Sequence, residues 1–137
     1  MKRKRVWRYY CEFCGKTNCS ASSISRHEKR CTMNPDRHCG MCATSDLPQK
    51  PMPELLATLE GIEISETTDE YGVSIKFEGD MDAALLRLRD KAENCPACIL
   101  AALRQKGIPV PMTTFKFTDE CHEFWHNVNN DDHDGTF

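Results

Sequence analysis

The stretch Tyr9–Cys31, YYCEFCGKTNCSASSISRHEKRC, decides how this chain folds. It contains Cys11-x2-Cys14 and, after twelve further residues, His27-x3-Cys31. The first pair predicts a tight turn that carries two thiolates, and the second predicts an imidazole and a thiolate on one face of a helix. Three sulfur atoms and one nitrogen atom that converge in this way form a tetrahedral set that suits Zn²⁺. The sequence therefore predicts a zinc site at Cys11, Cys14, His27 and Cys31.

The composition predicts a small protein that is stapled by metal. Nine of the 137 residues are cysteine, 39% are hydrophobic and 28% are charged. A chain of this size and polarity buries only a thin core, and a metal ion is a common supplement. No secretory segment follows Met1, and the longest apolar run, Ala97–Leu103, is too short to span a membrane. We therefore expect no membrane association and an intracellular, reducing compartment, the cytoplasm or the nucleus, where cysteine pairs bind zinc and do not form disulfides.

Two further cysteine pairs predict a second metal site. Cys39-x2-Cys42 contains a glycine that permits a tight turn, and Cys95-x2-Cys98 opens a helix with Pro96 in its first turn. Joined, the pairs form a four-cysteine zinc site that closes the 52 residues between them at both ends. The alternative is a cross-brace, in which Cys39 and Cys42 share a metal with cysteines of the first site. The spacing within the first site favours the sequential pairing, so two Zn²⁺ ions are expected.

The first site also has an aromatic residue two positions before its first cysteine and an aliphatic residue three positions before its histidine. In chain order the pattern is occupied by Tyr9, Cys11, Cys14, Ile24, His27 and Cys31. Over residues 9–31 it resembles the large zinc-finger family with two cysteine and two histidine ligands, in its Cys-Cys-His-Cys variant. The resemblance implies a ββα unit. It departs at Asn18, where the family has an interior phenylalanine, so we expect the finger to dock on the rest of the protein for its core.

The resemblance further implies that one face of the finger helix meets nucleic acid. In the family this helix enters the major groove, and the matching base-reading positions here are Ser20, Ser23 and Arg26. Serine discriminates poorly between bases, so sequence-tolerant binding to the phosphate backbone is the expected mode. The side chains expected to contact phosphates are Arg26, Lys29 and Arg30 of the helix and Lys2, Arg3, Lys4, Arg5 and Arg8 of the preceding arm. The alternative for the arm is a solubilising tail.

The charges divide the chain into a basic head and an acidic body. Residues 1–38 carry ten Lys/Arg and three Asp/Glu, whereas the remaining residues carry eight Lys/Arg and eighteen Asp/Glu. Only the head has the electrostatics to bind phosphates. We therefore expect nucleic acid to bind through residues 1–38 and a protein partner to bind the acidic body.

Periodicity and turn residues predict an α+β fold, with a ββα-type finger followed by a body of one hairpin and several helices. The predicted units are a basic arm at 1–8, the finger at 9–37, a zinc-clipped body at 38–110, and a C-terminal helix with a polar tail at 111–137. Helices are predicted at 53–60, after a capping Asp80, from Pro96 to Gly107, and at 119–127 after a capping Thr118. The hairpin joins strands at 62–64 and 73–77. A knuckle, a hairpin and a ligand-bearing helix resemble the layout of treble-clef zinc sites.

Two short motifs raise enzymatic alternatives. The segment His122–His126 matches the H-E-x-x-H pattern of zinc proteases, but the chain lacks the length for a protease cleft. Cys95-Pro-Ala-Cys98 is similar to a redox C-P-x-C site, but a helix is predicted before it, where such sites follow a strand. Cys19 and Cys121 are interpreted as unligated thiols, and a weak third metal site at Cys121, His122 or His126 is the alternative.

These observations together predict a zinc-binding, non-enzymatic accessory or regulatory protein that associates with nucleic acid through its basic finger. The alternative is a protein–protein adaptor or inhibitor in which both zinc ions are purely structural. Thiol redox and metallopeptidase activities rank third.

Overall fold

The computed structural model describes the backbone of residues 1–134 and the side chains of residues 1–128. Within these residues the chain forms two separate two-stranded antiparallel sheets and six α-helices. The predicted α+β fold class is thereby confirmed. The core lies in the body, where five helices and the base of the second sheet contribute to one cluster of buried side chains.

The N-terminal region folds as a small hairpin followed by a helix, which is the ββα order that the resemblance implies. Strand β1 (Tyr9–Tyr10) pairs with β2 (Thr17–Asn18), and helix α1 (Ala21–Arg30) follows. Ser20 caps this helix, because its hydroxyl accepts a hydrogen bond from the backbone N–H of Ser23 at 3.3 Å. Asn18 is exposed, and its side-chain oxygen accepts a hydrogen bond from the Ser20 N–H at 2.8 Å. Asn18 therefore shapes the turn into α1 and fills no core.

The finger is docked on the body, as the missing phenylalanine predicts. Arg104 Nη1 donates to Thr32 Oγ1 at 2.8 Å, just beyond the finger helix. Gln105 Nε2 donates to the backbone oxygens of Thr32 and Asn34, at 2.8 and 3.0 Å. These three hydrogen bonds join the segment at 32–37 that follows the finger helix, which we call the connector, to the last turn of a body helix.

Two short helices follow the connector. Helix α2 (Gly40–Thr44) grows directly out of the first body cysteine pair, where the sequence predicts only a knuckle. Gly40 lacks a positive φ, so its expected conformational role in that turn is wrong. Helix α3 (Met52–Ala57) begins one residue earlier and ends three residues earlier than predicted. Its buried side chains, Met52 and Leu55, still join the core.

The second sheet is the predicted hairpin, with longer strands. Strand β3 (Glu63–Asp69) pairs with β4 (Gly72–Glu78), so that Glu63 faces Glu78 and two residues form the loop. A glycine is required at position 79, just after β4. Its φ is +121°, and a Cβ atom there would lie 2.7 Å from the carbonyl oxygen of Gly61. This close approach fixes the base of the hairpin against the body.

Helices α4 (Met81–Lys91) and α5 (Pro96–Lys106) provide most of the core. Asp80 caps α4 through a 3.1 Å hydrogen bond from the Ala83 N–H, and Gly107 ends α5 with a φ of +88°, both as predicted. The largest fully buried side chains of the body are apolar or cysteine: Leu55, Leu59, Leu85, Leu88, Ile99, Leu103, Pro96, Cys42, Cys95 and Cys98. The second cysteine set therefore belongs to the core itself.

A short 3₁₀ turn at Val110–Met112 leads to the last helix, α6 (Phe117–Asp134). The predicted bounds, 119–127 with Thr118 as cap, are wrong because Thr118 already lies within the helix. Residues 129–134 of the predicted polar tail are helical, and residues 135–137 lie outside the described residues. Phe124 is buried against the core, with Trp125 and Val128 half-buried beside it. Helix α6 therefore packs an apolar face against the core.

Candidate metal centres

The four predicted ligands of the finger converge. Cys11 and Cys14 lie on the loop between β1 and β2, which a 2.8 Å hydrogen bond from the Cys11 N–H to the Lys16 oxygen closes. His27 lies in the last two turns of α1, and Cys31 is the residue that ends this helix. The four ligand atoms all lie within 4.8 Å of one another, and Cys14 Sγ is 3.2 Å from His27 Nε2. This group could hold one metal ion.

The second group assembles from the two body pairs and confirms the sequential pairing. Cys39 and Cys42 come from α2, and Cys95 and Cys98 come from the start of α5. Their sulfur atoms all lie within 4.8 Å of one another, with 3.6 Å between Cys39 and Cys95 and 3.5 Å between Cys42 and Cys98. The cross-brace alternative is wrong, because neither group takes a ligand from the other.

Both body pairs are built in the same way. In each pair the first cysteine is the N-cap of a helix and the second is its third residue. In α2 this arrangement lets the Cys42 N–H donate a hydrogen bond to Cys39 Sγ at 3.4 Å. A helix start supplies N–H groups and a positive dipole end to sulfur, so two such starts facing each other favour a cluster of thiolates.

The donor chemistry of the second group fits Zn²⁺. Tetrahedral zinc with a Zn–S distance of about 2.3 Å separates its sulfur ligands by about 3.8 Å, close to the two short distances observed. Hydrogen bonds from Cys42, Cys95 and Cys98 lower the pKa of Cys39, and the same network, led by the bonds to Cys39, raises the pKa values of Cys95 and Cys98. The first thiolate to form therefore opposes ionisation of the others, and a bound cation removes that opposition.

The linker before α3 supplies a partner for the second group that the sequence did not reveal. The Lys50 side chain is only 7% exposed, and its Nζ lies 3.5 Å from Cys42 Sγ and 3.0 Å from Glu93 Oε2. Burial lowers the pKa of this ammonium, but Glu93 and Cys42 outweigh that effect and raise it, so Lys50 is a buried cation. Its position in a proline-rich segment shows no periodicity that could have marked it.

The neighbouring Gln49 holds the backbone of the first body cysteine. Its side-chain oxygen accepts from the Cys39 N–H at 2.7 Å, and its side-chain nitrogen donates to the Cys39 oxygen at 2.9 Å. This paired contact fixes the peptide that carries the ligand, which is the kind of outer contact that orients metal ligands. The sequence pattern did not indicate this contact of Gln49 either.

The two groups differ in their access to solvent. All four sulfurs of the body group are buried. In the finger group Cys11 and Cys31 are buried, whereas His27 is half-buried and Cys14 is exposed. Burial is the main reason that the pKa of Cys31 is raised to about 11. The finger group therefore has one open side, and the body group has none.

The predicted phosphate contacts fall into two sets. Arg26, Lys29 and Arg30 are exposed, and with Ser23, His27 and His38 they line an open groove of about 740 Å³ along α1. We call this the helix groove. The five cations of the arm lie on residues 1–8, which are exposed and have no regular secondary structure. One of them, Arg8, donates to Thr17 Oγ1 at 3.4 Å.

The remaining candidate residues form no cluster within the part of the chain that the structure describes. His122, Glu123 and His126 are exposed on α6, and no third metal ligand joins the two histidines there. Cys19 is exposed, and Cys121 is half-buried with a pKa that burial raises. The described chain therefore brings together two metal groups and no third one.

Comparison with known proteins gives no relative. No protein-family model matches the chain, and no curated protein and no solved structure matches it significantly. The search for membrane spans also found none, since no helix in residues 1–134 combines the necessary length and hydropathy. The two cysteine-rich groups and the surfaces around them are therefore the features from which a function can be inferred.

Proposed function

We propose that each cysteine-rich group binds one Zn²⁺ and that the protein is a non-enzymatic accessory or regulatory protein that associates with nucleic acid. The observation that carries the proposal is the helix groove. Arg26, Lys29 and Arg30 share one exposed face of α1, and no Asp or Glu is among the described residues that line the groove. A concave surface that is lined by several cations and by no carboxylate attracts phosphate groups.

These cations are available to an external anion. In the described residues Lys50, Arg89 and Lys91 form ion pairs with carboxylates, and all three lie outside the finger; no such pair is seen for Arg26, Lys29 or Arg30. The ββα order of β1, β2 and α1 also supports kinship with the Cys-Cys-His-Cys fingers, whose helix faces nucleic acid. The hydroxyl of Ser20 is already used as the helix cap, which favours backbone contacts over base reading.

A second function, protein–protein adaptor or inhibitor, is favoured by the β3–β4 hairpin. It is a two-stranded sheet, so each strand has one edge without a partner strand in the described chain. Its tip residue Tyr71 is 94% exposed, and its acidic side chains are Glu63, Glu66, Asp69, Glu70 and Glu78. Unpaired strand edges are sites where another chain adds a strand.

The proposal is tested by binding to labelled duplex and single-stranded DNA from about 50 to about 200 mM salt. If four or more phosphates are neutralised, the affinity for duplex falls about 100-fold or more across that range. The triple variant Arg26→Ala, Lys29→Ala, Arg30→Ala is expected to lose most of this affinity.

A matched control variant is Lys76→Ala, Lys91→Ala, Lys116→Ala, which removes the same charge from the body. It is expected to bind like the unmodified protein. The proposal is overturned if the two triple variants bind equally well, or if the unmodified protein, with two bound zinc ions, binds neither form of DNA nor single-stranded RNA at low salt.

A further inference from the structure

A second groove continues from the helix groove across the boundary between finger and body. It has a volume of about 470 Å³, and we call it the junction groove. Its cationic lining residues are Arg30 and Arg37, and its apolar lining includes Met41, Phe117 and Trp125. Nothing in the zinc sites requires these side chains to meet.

We propose that the nucleic acid is single-stranded and that its unpaired bases stack in the junction groove on Phe117 and Trp125. Arg30 and Arg37 then contact the adjoining phosphates, and the strand continues along the helix groove. This inference rests on the proposed function and specifies its ligand.

The two grooves adjoin at a shared residue. Arg30 lines both of them, and its guanidinium lies over Gly40, where a Cβ atom would be 3.6 Å from Arg30 Cζ. Arg37 Nε donates to the Arg30 carbonyl oxygen at 3.4 Å, which holds the second arginine beside the first. No carboxylate is among the described residues that line either groove. The only charged side chains among the described residues that line either groove are therefore cationic, apart from the histidines.

The apolar lining separates single strands from duplexes. A duplex keeps its bases stacked on each other and presents mainly phosphates to a protein groove, so exposed aromatic rings gain little from it. Unpaired bases offer free π-faces, and each base stacked on an aromatic side chain strengthens binding by about 5- to 100-fold. Phe117 is 39% exposed, and the Trp125 ring is held edge-on against Phe124 with centroids 5.2 Å apart. The Phe117 ring is therefore accessible to solvent, and the half-buried Trp125 ring is held in place by packing.

The arm repeats the same combination at the other end of the finger. Trp7, which is 83% exposed, precedes Arg8, and Tyr9 and Tyr10 of β1, which are 40% and 62% exposed, follow it. Alternating cations and exposed aromatic rings are typical of surfaces that bind single strands without sequence preference. This second observation is independent of the junction groove and points to the same ligand.

The two tryptophans of the chain, Trp7 and Trp125, make a direct test possible. In the Trp7→Phe variant, Trp125 is the only tryptophan, so its fluorescence reports on the junction groove. Titration with oligo(dT) or oligo(U) of about 15 nucleotides is expected to quench the Trp125 fluorescence saturably. Duplex DNA of the same length is expected to leave that fluorescence unchanged. A difference between oligo(dT) and oligo(U) would assign the ligand to DNA or RNA, and equal binding would show that the sugar is not read; both outcomes support the inference.

Phe117→Ala is expected to weaken oligo(dT) binding about 5- to 100-fold and to leave duplex binding unchanged. Tyr71→Ala, which removes an exposed aromatic ring from the hairpin tip, is the control and is expected to have no effect. Both variants must retain two zinc ions and the circular dichroism spectrum of the unmodified protein, so that a folding defect is recognised.

The outcomes separate the inference from the proposed function. Binding of duplex as tight as that of single strands, with Trp125 unchanged and Phe117→Ala silent, overturns the inference and leaves the proposed function intact. Absence of all nucleic-acid binding at low salt overturns both. A Trp125 response to an acidic peptide, without one to either oligonucleotide, assigns the groove to a protein partner and also overturns the inference.

Discussion

The finger and body metal groups offer the same kind of donors but differ in what surrounds them. In the finger, only Cys11, Ile24 and Cys31 are buried, so a metal ion bound by this group would form the centre of the unit. In the body, the four sulfurs are 0–2% exposed and lie within a cluster of apolar side chains. One group replaces a hydrophobic core, and the other is inserted into one.

The charge of each group explains a further difference. Zn²⁺ with three thiolates and a neutral imidazole carries one net negative charge, and that site opens to water at Cys14. Zn²⁺ with four thiolates carries two, and that site is buried, which is costly without a nearby cation. Lys50 supplies that cation at 3.5 Å from Cys42 Sγ. A buried four-thiolate zinc site is therefore expected to need a neighbouring cation that offsets its negative charge, as well as its four ligands.

The largest expected effect comes from removing a buried ligand. Cys98→Ala is expected to abolish cooperative folding of the body, because a structural zinc contributes about 10–16 kcal/mol, comparable to the whole stability of a domain. The measurement is thermal unfolding by circular dichroism, together with zinc content. A variant that retains a cooperative transition would show that the apolar cluster, and not the metal, holds the body.

Removing a ligand of the finger is expected to have a local effect. Cys31→Ala should lower the zinc content from two ions to one and leave the thermal midpoint of the body within about 3 °C, because distant sites contribute additively. Atomic emission spectroscopy and calorimetry measure the two quantities. Loss of both zinc ions would contradict the separation of the two groups.

Removing the neutralising cation is expected to have an intermediate effect. Lys50→Met, made in the Cys31→Ala background so that only the body zinc remains, should weaken zinc binding about 10- to 100-fold. The reason is that a buried, doubly negative site loses its cation. Competition with a chromophoric chelator measures the affinity.

Lys91→Met is the matched control for Lys50→Met. Lys91 Nζ is 3.6 Å from Glu54 Oε2, but both side chains are about half exposed, at 50% and 55%. A surface pair of this kind contributes about 0–1 kcal/mol, so no change in zinc affinity is expected. If the two substitutions changed zinc affinity equally, Lys50 would have no specific role in stabilising the body zinc site.

The smallest expected effect concerns the cap of α1. Ser20→Ala removes the side-chain hydrogen bond to the Ser23 N–H and should cost about 1 kcal/mol of finger stability, or about 5-fold in finger zinc affinity. Ser25→Ala, an exposed change within the same helix, is the control and is expected to be neutral or slightly stabilising. The same chelator competition, carried out on the finger zinc, resolves the two.

The parts of the fold that were predicted from the sequence are those with a strong local signal. Ligand spacing predicted both metal groups, and helical periodicity with Asp80 and Gly107 at the ends predicted α4 and α5. Helix α2 was not predicted because five residues are too few to show periodicity. It is held in place by Cys39 and by the opposite cysteine pair.

Contacts between residues far apart in the sequence could not be predicted. Lys50 meets Cys42 and Glu93 only after the linker has folded back over the body group. Arg37 and Trp125 line one groove although 88 positions separate them in the chain. No pattern of hydrophobicity or spacing along the chain contains that information, because the apposition is set by how α6 packs on the core.

Helix α5 connects the second cysteine group to the segment that follows the finger. Its first residues follow Cys95, and its last turn carries the Arg104 and Gln105 donors that bind the connector after the finger. Eleven residues span about 16 Å, so a tilt of about 5° at the cysteine end moves the far end by about 1.4 Å. Hydrogen bonds of 2.8 to 3.0 Å do not survive such a displacement. The hydrogen bonds that dock the finger are therefore sensitive to the position of α5, which begins at the second cysteine group.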